Sequence, residues 1–323
     1  MTPETGFVDR WRARAHLYAN DLVVFGEDQW IIRNVPREAE IGPDSTIRFA
    51  PHQIEILREL FQRDELGRFL AQTIIYSAPK KSGKTDIEGL VGVWLAAVEP
   101  GLPEIYMIGN DKEQAQTRAY KAIAQQIGEN DAYGKRNPIM GGPGGLFLKP
   151  TKNTLELRDG GFIKTVAIDF AGEAGANPVA SLWDELWGVD RETQRRLWDE
   201  FTPVPTRQNS IRFVATYAGF KGESELLWEL YERIVKRGER VHATLPIYRS
   251  KDGEGVAYWD EGEEAHRMPW QTPEYYRGER ARMRPSAYQR LHLNKWVSAE
   301  TNFITPDQWD ALHMIERPIG GVQ

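Results

Sequence analysis

The chain has 323 residues, 41% of them hydrophobic and 27% charged, a composition suited to a folded protein with a large apolar core. A formal net charge of −6 excludes a protein that coats nucleic acid by bulk positive charge and leaves only local basic contacts. The absence of cysteine excludes disulfides, thiolate zinc sites and cysteine nucleophiles, and no apolar run has the length to cross a bilayer as a helix.

Residues 1–48 read as an appended arm. Arg10, Arg12 and Arg14 have no apolar run behind them, which is not the form of a secretory signal. Residues 8–20 are expected to form a helix, and residues 22–25 and 29–33 short strands. Residues 51–63 are expected to be helical, because Ile54, Leu57, Leu60 and Phe61 recur at helical spacing. A short apolar strand over 73–76 runs into a polar loop, and a helix over 85–98 runs out of it. A second strand over 105–108 is followed by a helix over 111–127. This alternation argues for an α/β fold with a mainly parallel sheet flanked by helices. Residues 154–157 and 162–168 flank Arg158-Asp159-Gly160-Gly161 and read as a hairpin. Buried strands are expected over 179–183 and 211–216, and helices over 192–201 and 223–236. Residues 270–293, rich in arginine, read as a small helical layer separate from the sheet. The expected organisation is an arm to residue 48, a core over 49–220 and a helical layer over 221–323.

The loop between the first strand and its helix carries chemistry. Ala78-Pro79-Lys80-Lys81-Ser82-Gly83-Lys84-Thr85 has the spacing of a phosphate-binding P-loop, with alanine in place of the first glycine. Backbone N–H groups of such a loop and of the helix behind it cradle anionic oxygens. Gly83 permits close approach, Lys84 neutralises the β- and γ-phosphates, and Thr85 offers its hydroxyl to Mg²⁺. The plain alternative is a polar turn that happens to contain Gly-Lys-Thr. The strand over 179–183 leads into Asp184-Glu185, where Asp184 would hold the metal directly or through water and Glu185 would act as general base. Two adjacent carboxylates at the end of a buried strand are costly unless a cation sits there. Their alternative is a capped turn with solvated acids. Thr216 ends a further strand and is a candidate sensor of the γ-phosphate, with a plain buried strand as its alternative. Gln53 is a candidate for an adenine edge, with a polar role at the helix start as its alternative.

Taken together, the stretches Pro51-His52-Gln53, residues 77–85, Asp111-Lys112-Glu113-Gln114-Ala115, residues 182–185, residues 215–218 and His292-Leu293-Asn294-Lys295-Trp296-Val297 resemble the large terminase subunit of tailed bacteriophages. The resemblance spans about residues 45–315. It implies a P-loop NTPase of the additional-strand, catalytic-glutamate type, an ATPase motor that uses ATP and Mg²⁺ to move double-stranded DNA into a procapsid. It implies Glu185 as catalytic glutamate, Asp184 as metal acid, Lys84 as the loop lysine, Lys80 facing the γ-phosphate, Thr216 in a coupling motif and Gln53 in an adenine motif. Implied partners are a portal protein and a small terminase subunit, with a homo-oligomeric ring when active and a monomer in isolation. The implied location is the host cytoplasm at the procapsid portal, with no membrane association.

Two departures stand out. Residues 172–175 are Gly-Glu-Ala-Gly, with no arginine where many relatives carry one, so a trans-acting arginine is sought among Arg118, Arg191, Arg195 and Arg207. The chain stops at Gln323, about where relatives begin a nuclease domain, so a motor that does not itself cut DNA is expected. Lys135, Arg136, Lys149 and Lys152 around a Gly-rich loop, and Arg277, Arg280, Arg282, Arg284 and Arg290 in the last helices, are candidate phosphate grips. Their alternative is a solvated charged surface. The scattered histidines read as structural or surface residues, and Trp270, Trp296 and Trp309 as packing residues. A helicase-like or other nucleic-acid-remodelling P-loop ATPase is the alternative function.

Overall fold

The computed structural model describes residues 16–32, 46–109, 119–132, 145–148, 150–167, 176–189 and 191–298. Helix α1 (Leu22–Gln29) begins where Asp21 caps it, its Oδ1 accepting from the backbone N–H groups of Val23 and Val24. The cap overrides the β-preference of the two valines, so the strand expected over 22–25 is a helix. The strand expected over 29–33 is reduced to one bridge, Ile31 with Thr46. The backbone N–H and carbonyl of Ile31 are satisfied by the Gln126 side chain, at 2.9 and 2.6 Å, in place of a ladder. Helix α2 (Pro51–Leu60) follows.

The central alternation is β1 (Thr73–Ser77), α3 (Lys84–Val98), β2 (Glu104–Gly109), α4 (Ala119–Ala132), β3 (Thr154–Glu156), β4 (Phe162–Ala167), β5 (Ala180–Asp184), α5 (Glu192–Glu200) and β6 (Ile211–Thr216). Then come β7 (Phe220–Lys221), α6 (Glu225–Tyr231) with a π-helical turn over Glu232–Lys236, β8 (Glu239–Arg240), β9 (Ile247–Arg249) and β10 (Gly255–Trp259). Helices α7 (Pro273–Arg282) and α8 (Pro285–His292) and strand β11 (Val297–Ser298) complete the described chain. The helix expected over 111–127 is described only from Ala119.

The nine-stranded sheet has the order β3-β4-β2-β5-β6-β1-β10-β9-β8. The six strands from β4 to β10 run parallel, and β3, β9 and β8 add antiparallel edges. Strand β6 therefore lies between β1 and β5, which is the additional-strand arrangement. The sheet also continues past the expected core boundary at 220. Strand β10 pairs with β1 along its whole length, from Thr73↔Gly255 to Ser77↔Trp259. All five of its residues are buried, as a strand covered on both faces requires.

Alternation along the strands feeds two apolar layers. Ile74, Tyr76, Leu182, Phe213 and Ala215 face α1 to α4, whereas Ile75, Trp183 and Val214 face α5 and α6. Helix α3 lies hard against the sheet, since a Cβ on Gly92 would come within 2.8 Å of a Leu182 methyl. That close seat sets the helix N-terminus at the carboxyl edge of the strands, where ligands bind in open α/β sheets. Among the described residues no helix is long and apolar enough to cross a membrane.

The opposite edge is closed by charge. Arg63 meets Glu99 at 2.6 Å, with both side chains nearly buried, and Asn209 Nδ2 donates to the other Glu99 oxygen at 3.0 Å. Removing one partner strands a buried charge, so Glu99→Ala is expected to cost roughly 3–5 kcal/mol in urea unfolding. Because the pair lies far from the carboxyl edge, nucleotide affinity of the folded protein should not change. A loss below about 1 kcal/mol would show that the pair is not buried in solution.

Candidate active site

The loop after β1 turns through two left-handed residues, Lys81 at φ 71° and Gly83 at φ 83°. Gly83 is the N-cap of α3. A Cβ there would meet nothing within 4 Å, so glycine answers a backbone demand, and the space beside it fits a ligand. Lys84 is buried and its Nζ donates to the carbonyls of Ala78 at 2.9 Å and Pro79 at 3.1 Å. Burial pulls its pKa down, Glu185 and Asp184 push it back up, and Lys80 lowers it further. The Ser82 hydroxyl is shut off from solvent with no hydrogen-bond partner, as a loop built to receive an anion would leave it.

The acids arrive by register. Ser77 at the end of β1 stands opposite Thr216 on β6, and Ala215 stands opposite Asp184 on β5. Strands lie about 4.8 Å apart, so the ends of β1 and β5 are separated by roughly 10 Å, a span that a triphosphate with its metal bridges. Glu185 follows in the left-handed region at φ 57°, a strained setting for a side chain with a Cβ. Its backbone N–H donates to Ala215 O at 2.9 Å, and Trp187 Nε1 donates to its Oε2 at 2.7 Å. Asp184 and Glu185 are each 7% exposed.

A third carboxyl joins them that no motif marks. Glu88, one turn into α3 beyond Lys84, is 1% exposed, and its Oε2 has no hydrogen-bond partner. Burial first, and then the charges of Asp184 and Glu185, raise its pKa well above the usual carboxyl value. The available signal is its place among apolar residues on a buried helix, four positions after Lys84. Among the described residues no group of three or more acids and histidines is arranged to hold a metal by itself. A metal here fits as Mg²⁺ does, with few protein ligands beside phosphate and water oxygens.

The other expected residues fall as follows. Thr85 is the second residue of α3 and half-buried. Thr216 is fully buried; its carbonyl accepts the Ala78 N–H at 3.3 Å, and its hydroxyl donates to the Tyr217 carbonyl at 3.0 Å. Gln53 is buried, accepts the Ala50 N–H at 3.2 Å and hydrogen-bonds Tyr76. These bonds match the polar helix-start alternative. The Lys80 backbone N–H donates to Leu291 O at 2.7 Å, and its carbonyl accepts from Gln271 Nε2 at 2.9 Å. Trp270 Nε1 donates to Lys81 O at 2.8 Å. Asn294, at φ 52°, accepts the Ala218 N–H at 2.7 Å and donates to Ser77 Oγ at 3.0 Å and Asp260 O at 2.9 Å. The C-terminal layer is thus built onto the loop after β1.

Arg207 donates to the carbonyls of Asn177 and Leu102 at the amino edge of the sheet, away from the loop. Arg195 pairs with Glu229 at 2.7 Å, and Arg191 is exposed just before α5. Arg277 and Arg280 pair with Glu274 and Glu263 on the surface, in keeping with the solvated-face alternative, and the exposed Arg282 pairs with the mostly buried Glu279. Lys152 and Arg284 are exposed. Asp111 to Ala115, Arg118, Lys135, Arg136, Lys149, residues 172–175 and Trp309 lie outside the described residues.

No family model and no curated protein matches the chain. Among solved structures it is similar to the large terminase of bacteriophage HK97, with a TM-score of 0.61 and 15% identity, over 90% of this chain and 58% of that one. It is also similar to the large terminase of a thermophilic bacteriophage (TM-score 0.49, 8% identity, 77% of this chain and 54% of that one). A third likeness is to the large terminase ATPase domain of Thermus phage P74-26 (TM-score 0.44, 11% identity, 70% of this chain and 90% of that one). The chain shares its fold with the HK97 protein and spans somewhat more than half of that protein's length.

The Glu88 environment makes a pH prediction. A carboxyl raised in the folded state binds more protons there than in the unfolded chain, so stability falls as pH rises from its unfolded value toward its folded one. Glu88→Gln, neutral at every pH, should raise Tm more at pH 8 than at pH 5, by on the order of 2–4 °C per kcal/mol recovered. A pH-independent difference in thermal melts would contradict this assignment.

Proposed function

We propose that the chain is the ATP-hydrolysing motor unit of a viral DNA-packaging terminase. One observation carries the reading: Gly83 and Lys84 after β1, and Asp184 and Glu185 after β5, meet at one edge of the sheet with β6 between them. The same two carboxylates act electrostatically on Lys84. The shared fold with the HK97 large terminase supports the packaging role.

In this reading the amides of Gly83, Lys84 and Thr85 and the N-terminus of α3 bind the triphosphate of ATP. Lys84 exchanges the Ala78 and Pro79 carbonyls for phosphate oxygens, replacing neutral acceptors with charged ones. Thr85 and Asp184 are the residues that would hold Mg²⁺, whose chemistry is to neutralise charge on the β- and γ-phosphates. Glu185 takes the proton of the attacking water, oriented by its left-handed backbone and by Trp187. Burial and the two neighbouring carboxylates favour the protonated form of Glu88, which lessens the negative charge gathered beside Lys84. Lys80 and Thr216 are assigned to the γ-phosphate side of the site, Thr216 by exchanging its bond to the Tyr217 carbonyl, whereas Gln53, bonded to Ala50 and Tyr76, is left as a residue of the helix start. Double-stranded DNA is the track, with a portal and a small subunit as partners in a homo-oligomeric ring in the host cytoplasm.

Single-turnover ATP hydrolysis tests this. Glu185→Gln should lower the rate by about 10²–10⁴-fold, the ordinary contribution of a general base. Its affinity for a fluorescent ATP analogue should stay within about threefold of wild type, since the uniform binding contacts are untouched. Lys84→Ala should lose that affinity instead. A Glu185→Gln protein that hydrolyses ATP at the wild-type rate would remove Glu185 from this role.

A further inference from the structure

Arg290 differs from the other arginines of the last helices. Its guanidinium carbon lies 4.4 Å from the Trp187 ring, 4.4 Å from Phe220 and 5.0 Å from Tyr217. Its Nε and Nη1 are shut off from solvent and have no hydrogen-bond partner, whereas Arg277, Arg280 and Arg282 each have a glutamate partner. A guanidinium with two nitrogens cut off from water and three ring faces around it orients those rings, because each π-face is attracted to the charge.

The rings belong to the site. Trp187 donates to Glu185 Oε2 at 2.7 Å, and Tyr217 has Lys84 Nζ 5.1 Å from its ring centre. Trp187 and Tyr217 stack at 5.9 Å, and the Trp187 carbonyl accepts the Ser224 hydroxyl at 2.7 Å. Gly219 lets the chain pass this close, since a Cβ there would come within 3.1 Å of Trp187 Cβ and 2.3 Å of Ser224 Oγ. The end of helix α8 and the turn behind it touch both halves of the site within five residues. Arg290 meets the aromatic side, Leu291 accepts the Lys80 N–H at 2.7 Å, and Asn294 ties the ends of β1, β6 and β10.

We propose that Arg290 is a positioning residue for the hydrolysis. Seated in the Trp187–Tyr217–Phe220 cage, it fixes the Trp187 indole that holds Glu185 and so couples the catalytic glutamate to helix α8. This rests on the reading of Glu185 as general base. A shift of the phosphate loop would reach α8 through Lys80 and Leu291, and return to Glu185 through Arg290 and Trp187.

The test uses the full chain with Arg290→Met, which keeps an unbranched apolar stem and loses the charge, and Arg290→Lys, which keeps it. Arg290→Met should lower single-turnover hydrolysis by at least about tenfold with ATP-analogue affinity within about twofold, the pattern of a lost transition-state contribution. Arg290→Lys should recover the rate to within about threefold of wild type, because the charge over the rings returns. A second readout needs no turnover. The ¹⁵N-indole resonance of Trp187, assigned by its loss in Trp187→Phe, should move toward the position of a free indole, with faster exchange, in Arg290→Met but not in Arg290→Lys. An unmoved resonance in Arg290→Met, or rate and affinity falling together in both variants, would overturn the proposal. Glu185→Gln, run alongside, separates the two readings. If it keeps its rate while the Trp187 resonance still moves in Arg290→Met, the base assignment falls and the link stands. If it loses its rate while Arg290→Met changes neither readout, only the link falls.

Discussion

Buried charge is what this structure has to manage. Lys84, Glu88, Asp184 and Glu185 sit together at the edge of the sheet, all at most 7% exposed. Taking such groups out of water costs several kcal/mol each unless they are paired, neutralised or hydrogen-bonded. The molecule uses each remedy in turn. The lysine leans on two loop carbonyls and feels two carboxylates, Glu185 takes the indole of Trp187, and burial pushes Glu88 toward its neutral form. The arrangement is a poor way to make a stable core and a good way to bind an anion with its cation.

That concentration of charge explains the surrounding scaffold. Strand β6 separates β1 from β5 and opens a gap wide enough for a triphosphate, while the close seat of α3 against Leu182 fixes where Lys84 emerges. The left-handed backbone at Lys81, Gly83 and Glu185 persists because backbone bonds to Thr216, Ala215 and the C-terminal layer over-determine it. Residues 270–294 are therefore less an appendage than a clamp. They hold the loop through Trp270, Gln271 and Leu291, and the strand ends through Asn294. The clamp gives the two halves of the site a common mechanical reference.

Most of the central alternation is legible from residues, because apolar periodicity and the run from Ala78 to Thr85 are local signals. Strand β6 has its expected bounds, and α3 begins one residue before its expected start. What sequence does not reveal is long-range. Strand β10 is a five-residue run whose partner, β1, lies some 180 positions earlier, so the sheet is expected to end too soon. A side-chain cap from Asp21 turns expected strand into α1, and Gln126 satisfies the backbone that would have formed another strand. The Asp-Glu pair is visible as a motif, but Glu88 looks like an ordinary helix residue and Arg290 like one more of the basic residues of the last helices. Their importance comes from what faces them across the fold, and no spacing rule records that.

The central claim is that the loop and the acid pair serve one triphosphate–metal complex. A crystal structure of the protein with Mg²⁺ and a non-hydrolysable ATP analogue tests it directly. Phosphates should lie against the amides of Gly83, Lys84 and Thr85, with Lys84 Nζ moved from the Ala78 and Pro79 carbonyls onto them. Asp184 should stand beside the metal and Glu185 should face the γ-phosphate. A nucleotide bound elsewhere, or a Lys84 still held by those carbonyls with the nucleotide in place, would contradict the claim.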